Sequence, residues 1–361
     1  MKLEKDNLYG YLFTLPFVII FLFFLVYPFG KLFYISFFEW NLMAVAIDSS
    51  RKTFIGFENF YYLLAGEGVY FDLIIFFTPI KIITFFLLTS FLIYCYSKEI
   101  IKHNFGLLFF FSYAYIAFFI FGIQPTEDAY WEDDVFWKSI RNTLVLDFFS
   151  AYGATFIALL IAIATNKEGT IYIVIRTLFW STGGIGVVAL SIIYQQVFST
   201  YASPINHLLR GLGFEAFPFL IRPNAARFVI IFATVWWTIS IPIMLFLAAL
   251  QQIPEDRFEA ARIDGATRGQ LFWYITLPGI SRMFLLVSVL QIISHWQIFG
   301  QTNLITNGGP ADETRSVVQM AFDYAFRDME MGQGAAVSVV LFVILGFFTF
   351  FQFRFYKADH E

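Results

Sequence analysis

Charge is scarce in this 361-residue chain: Asp, Glu, Lys and Arg together make up 14% of it, where a soluble globular protein carries about 25%. That shortage excludes an ordinary water-covered globule. Cysteine is scarcer still, with Cys95 alone, which excludes an internal disulfide and any Cys-rich metal site. His103, His207, His295 and His360 are scattered without ligand spacing, so no metal site is expected. The net charge of −4 lacks the basic excess that a nucleic-acid surface needs. There is no G-x-x-x-x-G-K-[ST] phosphate loop, no H-E-x-x-H and no G-x-S-x-G, so no catalytic residue is expected. A membrane machine built this way must borrow its energy from another protein, run downhill or use an ion gradient.

Apolar runs are abundant. Hydrophobic residues make up 59% of the chain, Phe alone numbers 50, and the mean hydropathy is +0.69. A spanning helix needs about 20 apolar residues to cross about 30 Å of hydrocarbon. Runs of that kind occur at 10–38, 70–96, 105–123, 140–165, 172–198, 227–250, 279–302 and 335–356. The first is too long for a signal peptide and lacks a small-residue cleavage site, so it reads as a retained span. The fold class is therefore all-α, a polytopic helical membrane protein with about eight transmembrane helices. An even number of spans puts both termini on one side. Lys and Arg totals hardly discriminate, but the short YSKEIIKHN and NKEG turns suit the cytoplasm and TEDAYWEDD suits the outside. Both termini are then cytoplasmic. The outer loops near 39–68, 124–139 and 199–226 are too short to build a core. FIGFENFYYLL has an interfacial amphipathic character, and NGGPADETR is a strong turn signal.

One polar island breaks the greasy pattern, at 251–278, and on this orientation it faces the cytoplasm. Pro254 suits a first helical turn, and Glu255 and Asp256 complement the positive end of a helix dipole. Gly265 can take the left-handed conformation that closes a helix, and a second helical run extends to Ile275, ending near Pro278. Helix, turn, helix is the expectation, with small Ala260 and Ala261 admitting a close partner and Glu259 offering it a carboxylate.

Polar side chains inside spans are costly in lipid and mark candidate pathway residues. Ser288, Gln291 and His295 share one helical stripe, with Ser294 and Trp296 beside it, and Thr234, Trp237 and Thr238 form a second cluster. Hydrogen bonding between neighbouring helices is the competing role. Lys81 and Asp147 lie at similar depth and could pair, or Lys81 could snorkel.

The residues Glu259-Ala260-Ala261, Gly265, Ile275 and Leu277-Pro278 match the EAA, three, G, nine, I, one, LP signature without a spacing departure. On them the chain resembles binding-protein-dependent ABC importer permeases. YLFTLPFVIIFLFFLVYPFGKLFYISFFEW, GFENFYYLL, NTLVLDFF, LAALQQIPEDRFEAARIDGA, LITNGGPADET and GQGAAVSVVLFVIL are similar to the carbohydrate-importer branch, the maltose and glycerol-phosphate type. The NGGP turn and the basic QFRFYK end look more like the first of its two paired permeases. The resemblance covers roughly 8–64 and 138–357.

It implies a six-helix core plus two inserted spans: 1–68 with the first helix and outer segment, 69–123 as the inserted pair, and 138–361 as the remaining core with coupling loop 251–278. It implies that this loop docks on a separate ATPase subunit. The expected partners are a second permease in a heterodimer, two ATPase subunits that bind ATP and Mg, an extracytoplasmic solute-binding protein, membrane lipid and a carbohydrate. No cofactor is expected on this chain and no nucleic acid. The setting is a bacterial or archaeal cytoplasmic membrane. A polyol or glycerol phosphate is the alternative cargo; an ion-coupled carrier and a membrane enzyme are the rival classes. Two departures stand out: the inserted 69–123, and Ser181-Thr182 where relatives tend to carry Pro.

Overall fold

The computed structural model describes residues 5–48, 52–64, 133–201 and 203–357, together with residue 90. Within them the helices are α1 (Lys5–Phe21), α2 (Tyr27–Ile35), α3 (Leu42–Ile47), α4 (Glu58–Leu64), α5 (Asp134–Thr165), α6 (Thr170–Ser181), α7 (Val187–Val197) and α8 (Pro204–Gly211). They continue as α9 (Pro223–Thr238), α10 (Ser240–Gln251), α11 (Glu255–Ile263), α12 (Arg268–Leu271), α13 (Leu277–Gly279), α14 (Ser281–Trp296), α15 (Val317–Phe322) and α16 (Met331–Lys357). The architecture is predominantly helical. The expected spans at 70–96 and 105–123, and Lys81 with them, lie outside the described residues.

The chain divides into two compact units, residues 1–67, 131–133 and 320–344 forming one and the remainder the other. In the first, α1 and α2 run on through a π turn at Leu22–Val26, giving a continuous apolar stretch over Gly10–Ile35. Pro28 has no N–H for the helix ladder, and the wider turn before it absorbs the mismatch. Its side chains are open, Phe13 at 84% exposure, as suits a helix meant for lipid or another subunit. A short antiparallel pair follows, β1 (Phe38–Glu39) on β2 (Thr53–Phe54), with Phe38 opposite Phe54. Asn59 fixes α4 beneath it by donating to the carbonyls of Ser36 and Phe38 at 2.9 and 3.0 Å.

In the second unit α5 is the central helix, with 17 of its 32 residues buried. One apolar cluster joins it to α10 and α14 through Ala158, Ala162, Phe246, Ile243, Phe284 and Ile280. A second joins it to α9 through Leu146, Val229, Ile230 and Ala233. Small Ala residues on α5 let these helices approach closely, the usual device where lipid supplies no hydrophobic drive.

Among the described residues three helical stretches are long and apolar enough to span a membrane unaided, Gly10–Ile35, Asp134–Thr165 and Met331–Phe350, and three bent pairs bring the total to six. The runs expected as single helices at 172–198 and 227–250 are bent within, and the one at 279–302 turns sharply from the loop helix that precedes it. The first breaks by 100° between Thr170–Gly184 and Val187–Val197, where Ile185 and Gly186 are extended. Just before it, a Cβ on Gly183 would stand 2.5 Å from the Ser240 hydroxyl, which would have to turn away to admit a side chain. The second bends by 47° at Ile239; Pro242 has no N–H for the Thr238 carbonyl one turn back. The third meets Arg268–Gly279 at 66°, and its helix ends at Trp296, short of the expected 302. The length and mostly apolar composition of these runs suit a span whether or not it bends, so neither marks the bend.

Candidate functional site

The polar island forms a self-supporting unit. Pro254 is the N-cap of α11, not its first helical residue, and Glu255 and Asp256 occupy the first turn. The helix closes on Gly265 at φ +81°. There the Ala266 N–H donates to Ala261 O at 2.9 Å and the Gly265 N–H to Arg262 O at 3.1 Å, the paired bonds of a Schellman end. Thr267 then starts α12 with a capping box: its hydroxyl accepts from the Gln270 N–H while the Gln270 side chain accepts from the Thr267 N–H. This Thr-x-x-Gln signal was readable in the sequence and went unused. A π turn over Phe272–Thr276 leads into α13. At the base, a Cβ on Gly279 would lie 2.8 Å from Ile253 Cδ1, so the two ends of the loop close against each other.

Its outer surface is free. Glu259, Ala260 and Gly265 are exposed, and Ala261, Ile275, Leu277 and Pro278 are half-buried. Ile263, Trp273 and Tyr274, which the sequence reading did not single out, are 86%, 59% and 78% exposed. Three large apolar side chains on an otherwise charged loop mark a contact surface. The Arg262–Glu255 ion pair, at 3.4 Å with both side chains well exposed, adds little.

The two polar clusters inside the spans meet. The Gln291 amide donates to the Thr238 carbonyl at 3.4 Å, replacing the donor that Pro242 cannot supply. His295 Nδ1 sits 2.6 Å from Gln291 O, so that nitrogen carries the proton and Nε2 accepts. Nε2 is 3.2 Å from the Thr238 hydroxyl, which also lies 2.8 Å from Thr234 O. One hydroxyl proton therefore serves two acceptors in turn. Ser288 and Thr234 bond back to their own helices, at Phe284 O and Ile230 O. Trp237 donates to Ile185 O at 2.7 Å, and Trp296 packs its ring 5.6 Å from that of Phe348. Of the eight candidates, Ser294 is exposed, Trp237 and Thr238 are half-buried and the rest are buried. Asp147 is buried too.

A third polar assembly holds the loop at 307–315. Asn307, Gly308, Ala311 and Asp312 all have positive φ, unfavourable for the three that are not glycine, and bonds from inside and outside the loop secure the turn. Lys138 donates to Ala311 O and Asn142 to Asp312 O, each at 2.7 Å, and Arg227 Nε donates to Glu313 O at 2.9 Å. The Glu313 carboxylate meets Lys138 and Arg141 at 3.2 Å and pairs with Arg227. Partial burial opposes ionisation of Glu313, yet the Lys138 hydrogen bond and the charges of Lys138, Arg227 and Arg141 hold its carboxyl below the usual range. Only the turn itself was visible in the sequence; its clasp comes from helices far away in the chain. Among the described residues no three His, Cys, Asp or Glu converge as metal ligands.

The comparisons fit this geometry. Residues 154–357 match the family described as binding-protein-dependent transport system inner membrane component, and the chain belongs to that family. It is 32% identical over 225 residues to the multiple sugar-binding transport system permease protein MsmF of Streptococcus mutans, covering 62% of this chain and 77% of that protein. It is 27% identical over 357 residues to the "Probable ABC transporter permease protein YesP" of Bacillus subtilis, covering 98% of this chain and 92% of that one. Among solved structures, a chain of a bacterial alginate ABC transporter, crystallised with its alginate pentasaccharide-bound periplasmic protein, superposes with a TM-score of 0.56 at 21% identity. The overlap is 61% of this chain and 77% of that one, a likeness of fold.

Proposed function

We propose that this chain is the permease subunit of an ATP-driven importer that carries a sugar or oligosaccharide delivered by an external binding protein. It would work with a second, different permease and two ATPase subunits, which bind ATP and Mg, and its termini and the 251–278 loop would face the cytoplasm. The full set of spans would be eight, a six-helix core with 69–123 as an added pair. The observation that carries the reading is the exposed apolar trio Ile263, Trp273 and Tyr274 on a loop whose backbone is satisfied from within. Such a loop can transmit a push without deforming, and its apolar face needs a protein to cover it. Glu259 supplies a carboxylate for a partner cation, Ala260 and Ala261 let the partner close in, and Ile275, Leu277 and Pro278 lead the motion into α14. The name of the relative MsmF supports a carbohydrate cargo.

In this reading the loop pulls on the base of α14, and the bends at Ile239 and Gly279 let helices rock without stretching. Ser288, Gln291, Ser294, His295, Trp296, Thr234, Trp237 and Thr238 would meet substrate as the helices part. Thr238 and His295 are suited to this, because a shared hydroxyl proton can be redirected to a sugar hydroxyl. The test is uptake into proteoliposomes holding the whole complex, with labelled sugars, polyols and glycerol phosphate compared in the presence and absence of ATP. The reading expects ATP-dependent uptake of a carbohydrate only. Uptake without ATP or the ATPase subunits contradicts it. Replacing Gln291 and His295 together with Ala should raise KM for the sugar; unchanged kinetics remove them from the pathway.

A further inference from the structure

A groove of about 800 Å³ opens between α5 and α9, apart from the coupling loop and the buried polar network. Its α5 wall is Arg141, Val145, Phe149, Gly153 and Ile157, every fourth residue and hence one stripe. Arg227, Ile231 and Val235 face it from α9. Polarity is confined to one end: Arg141 and Arg227 sit there with Glu313, and the lane beyond offers only hydrocarbon. At the far part a Cβ on Gly153 would be 3.3 Å from Val235 Cγ2, so the helices converge and give the lane a floor.

The charged end carries a surplus of cations. Lys138, Arg141 and Arg227 all converge on the single Glu313 carboxylate, while Asp312 and Arg315 pair with each other. The Arg141 side chain remains 47% exposed, so its remaining donors are available to a further anion. From Arg141 to Ile157 the stripe measures about 24 Å at 1.5 Å per residue. That is close to one leaflet of hydrocarbon, about 15 Å, plus a headgroup layer of about 6 Å. A sugar would find no hydrogen-bonding group along the lane, whereas an acyl chain needs none.

From this charge complementarity and length, we propose that the α5–α9 groove binds an anionic phospholipid, its phosphate on Arg141 and Arg227 and an acyl chain along Val145, Phe149 and Ile157. The basic end selects the headgroup and the apolar lane selects a lipid over a free phosphate.

The test uses the purified whole complex in nanodiscs of equal phosphatidylglycerol and phosphatidylethanolamine, with p-benzoylphenylalanine in place of Phe149. Irradiation should yield adducts of lipid mass, with phosphatidylglycerol over phosphatidylethanolamine by about fivefold. Arg141→Gln should erase that preference, while Arg141→Lys keeps part of it. Adducts to another protein subunit or to the transported solute, or equal labelling by both lipids, overturn the proposal. Native mass spectrometry gives an independent readout: the unsubstituted complex should retain phosphatidylglycerol, which Arg141→Gln should lose. Equal retention by both would also overturn it.

Discussion

Two loops of the same unit have spent their side chains in opposite ways. The loop over 251–278 satisfies its backbone through a Schellman end and a capping box, so Glu259, Ile263, Trp273 and Tyr274 stay outward and uncommitted. The loop over 307–315 has four residues in the left-handed region, and its own bonds, such as Thr314 N–H to Gly308 O and Glu313 N–H to Pro310 O, are only part of what holds it. Lys138, Arg141, Asn142 and Arg227 fasten it from outside as well. A loop stabilised from within can present a surface to another protein. A loop stabilised from outside serves as a clasp between helices.

The contrast can be broken most severely at Gly265. A β-branched residue at φ +81° costs about 1–2 kcal/mol in backbone strain and unseats the turn between α11 and α12. Gly265→Val should abolish ATP-dependent uptake and substrate-stimulated ATPase activity while the protein still inserts and assembles, as size-exclusion of the complex would check. Glu259→Lys comes next, because it reverses a charge at the proposed contact. Uptake should fall by at least about tenfold, as a lost interfacial charge pair of about 2–5 kcal/mol implies, with the permease's own melting temperature unchanged.

The clasp should behave in the reverse manner. Glu313→Gln should destabilise the protein by about 1–2 kcal/mol, discounted for partial exposure, with docking of the ATPase intact. Its pH dependence has a definite sign. The folded carboxyl lies below its ordinary value of 4.5, so the stabilisation is complete above that value and disappears as pH falls through the lower folded value. Thermal unfolding of the native protein should therefore weaken on acidification from pH 5 downward more than that of Glu313→Gln. The smallest effect belongs to Thr267→Ala, which removes the capping box at about 1 kcal/mol. Uptake should drop only about two- to threefold, because the Schellman end still sets the turn.

What the sequence made legible follows from the range over which each residue acts. Gly265, Glu255 and Asp256 act on neighbours within a turn, so the helix–turn–helix could be read directly, with Pro254 misplaced by a single position. The EAA spacing carried the family for the same reason. The bends were hidden, since Pro242 and Gly186 sit in long, mostly apolar runs whose length and composition suit an unbroken span. The junction of Gln291 and His295 with Thr238 could not be foreseen, because each stripe was visible but its facing stripe was not. The Glu313 clasp was invisible for the greatest reason: its carboxylate and Arg141 lie 172 positions apart.

The central claim is that the outward face of the 251–278 loop is where the motor subunit sits. It is tested most directly by disulfide cross-linking in the assembled complex, with Cys95→Ser as background and single cysteines at Ile263 and Tyr274. Exposed Leu212, outside that loop, serves as the control position. The account predicts cross-links from 263 and 274 to the ATPase subunit and none from 212. Cross-links from 263 or 274 to the external binding protein, or none to the ATPase from either position, would contradict it.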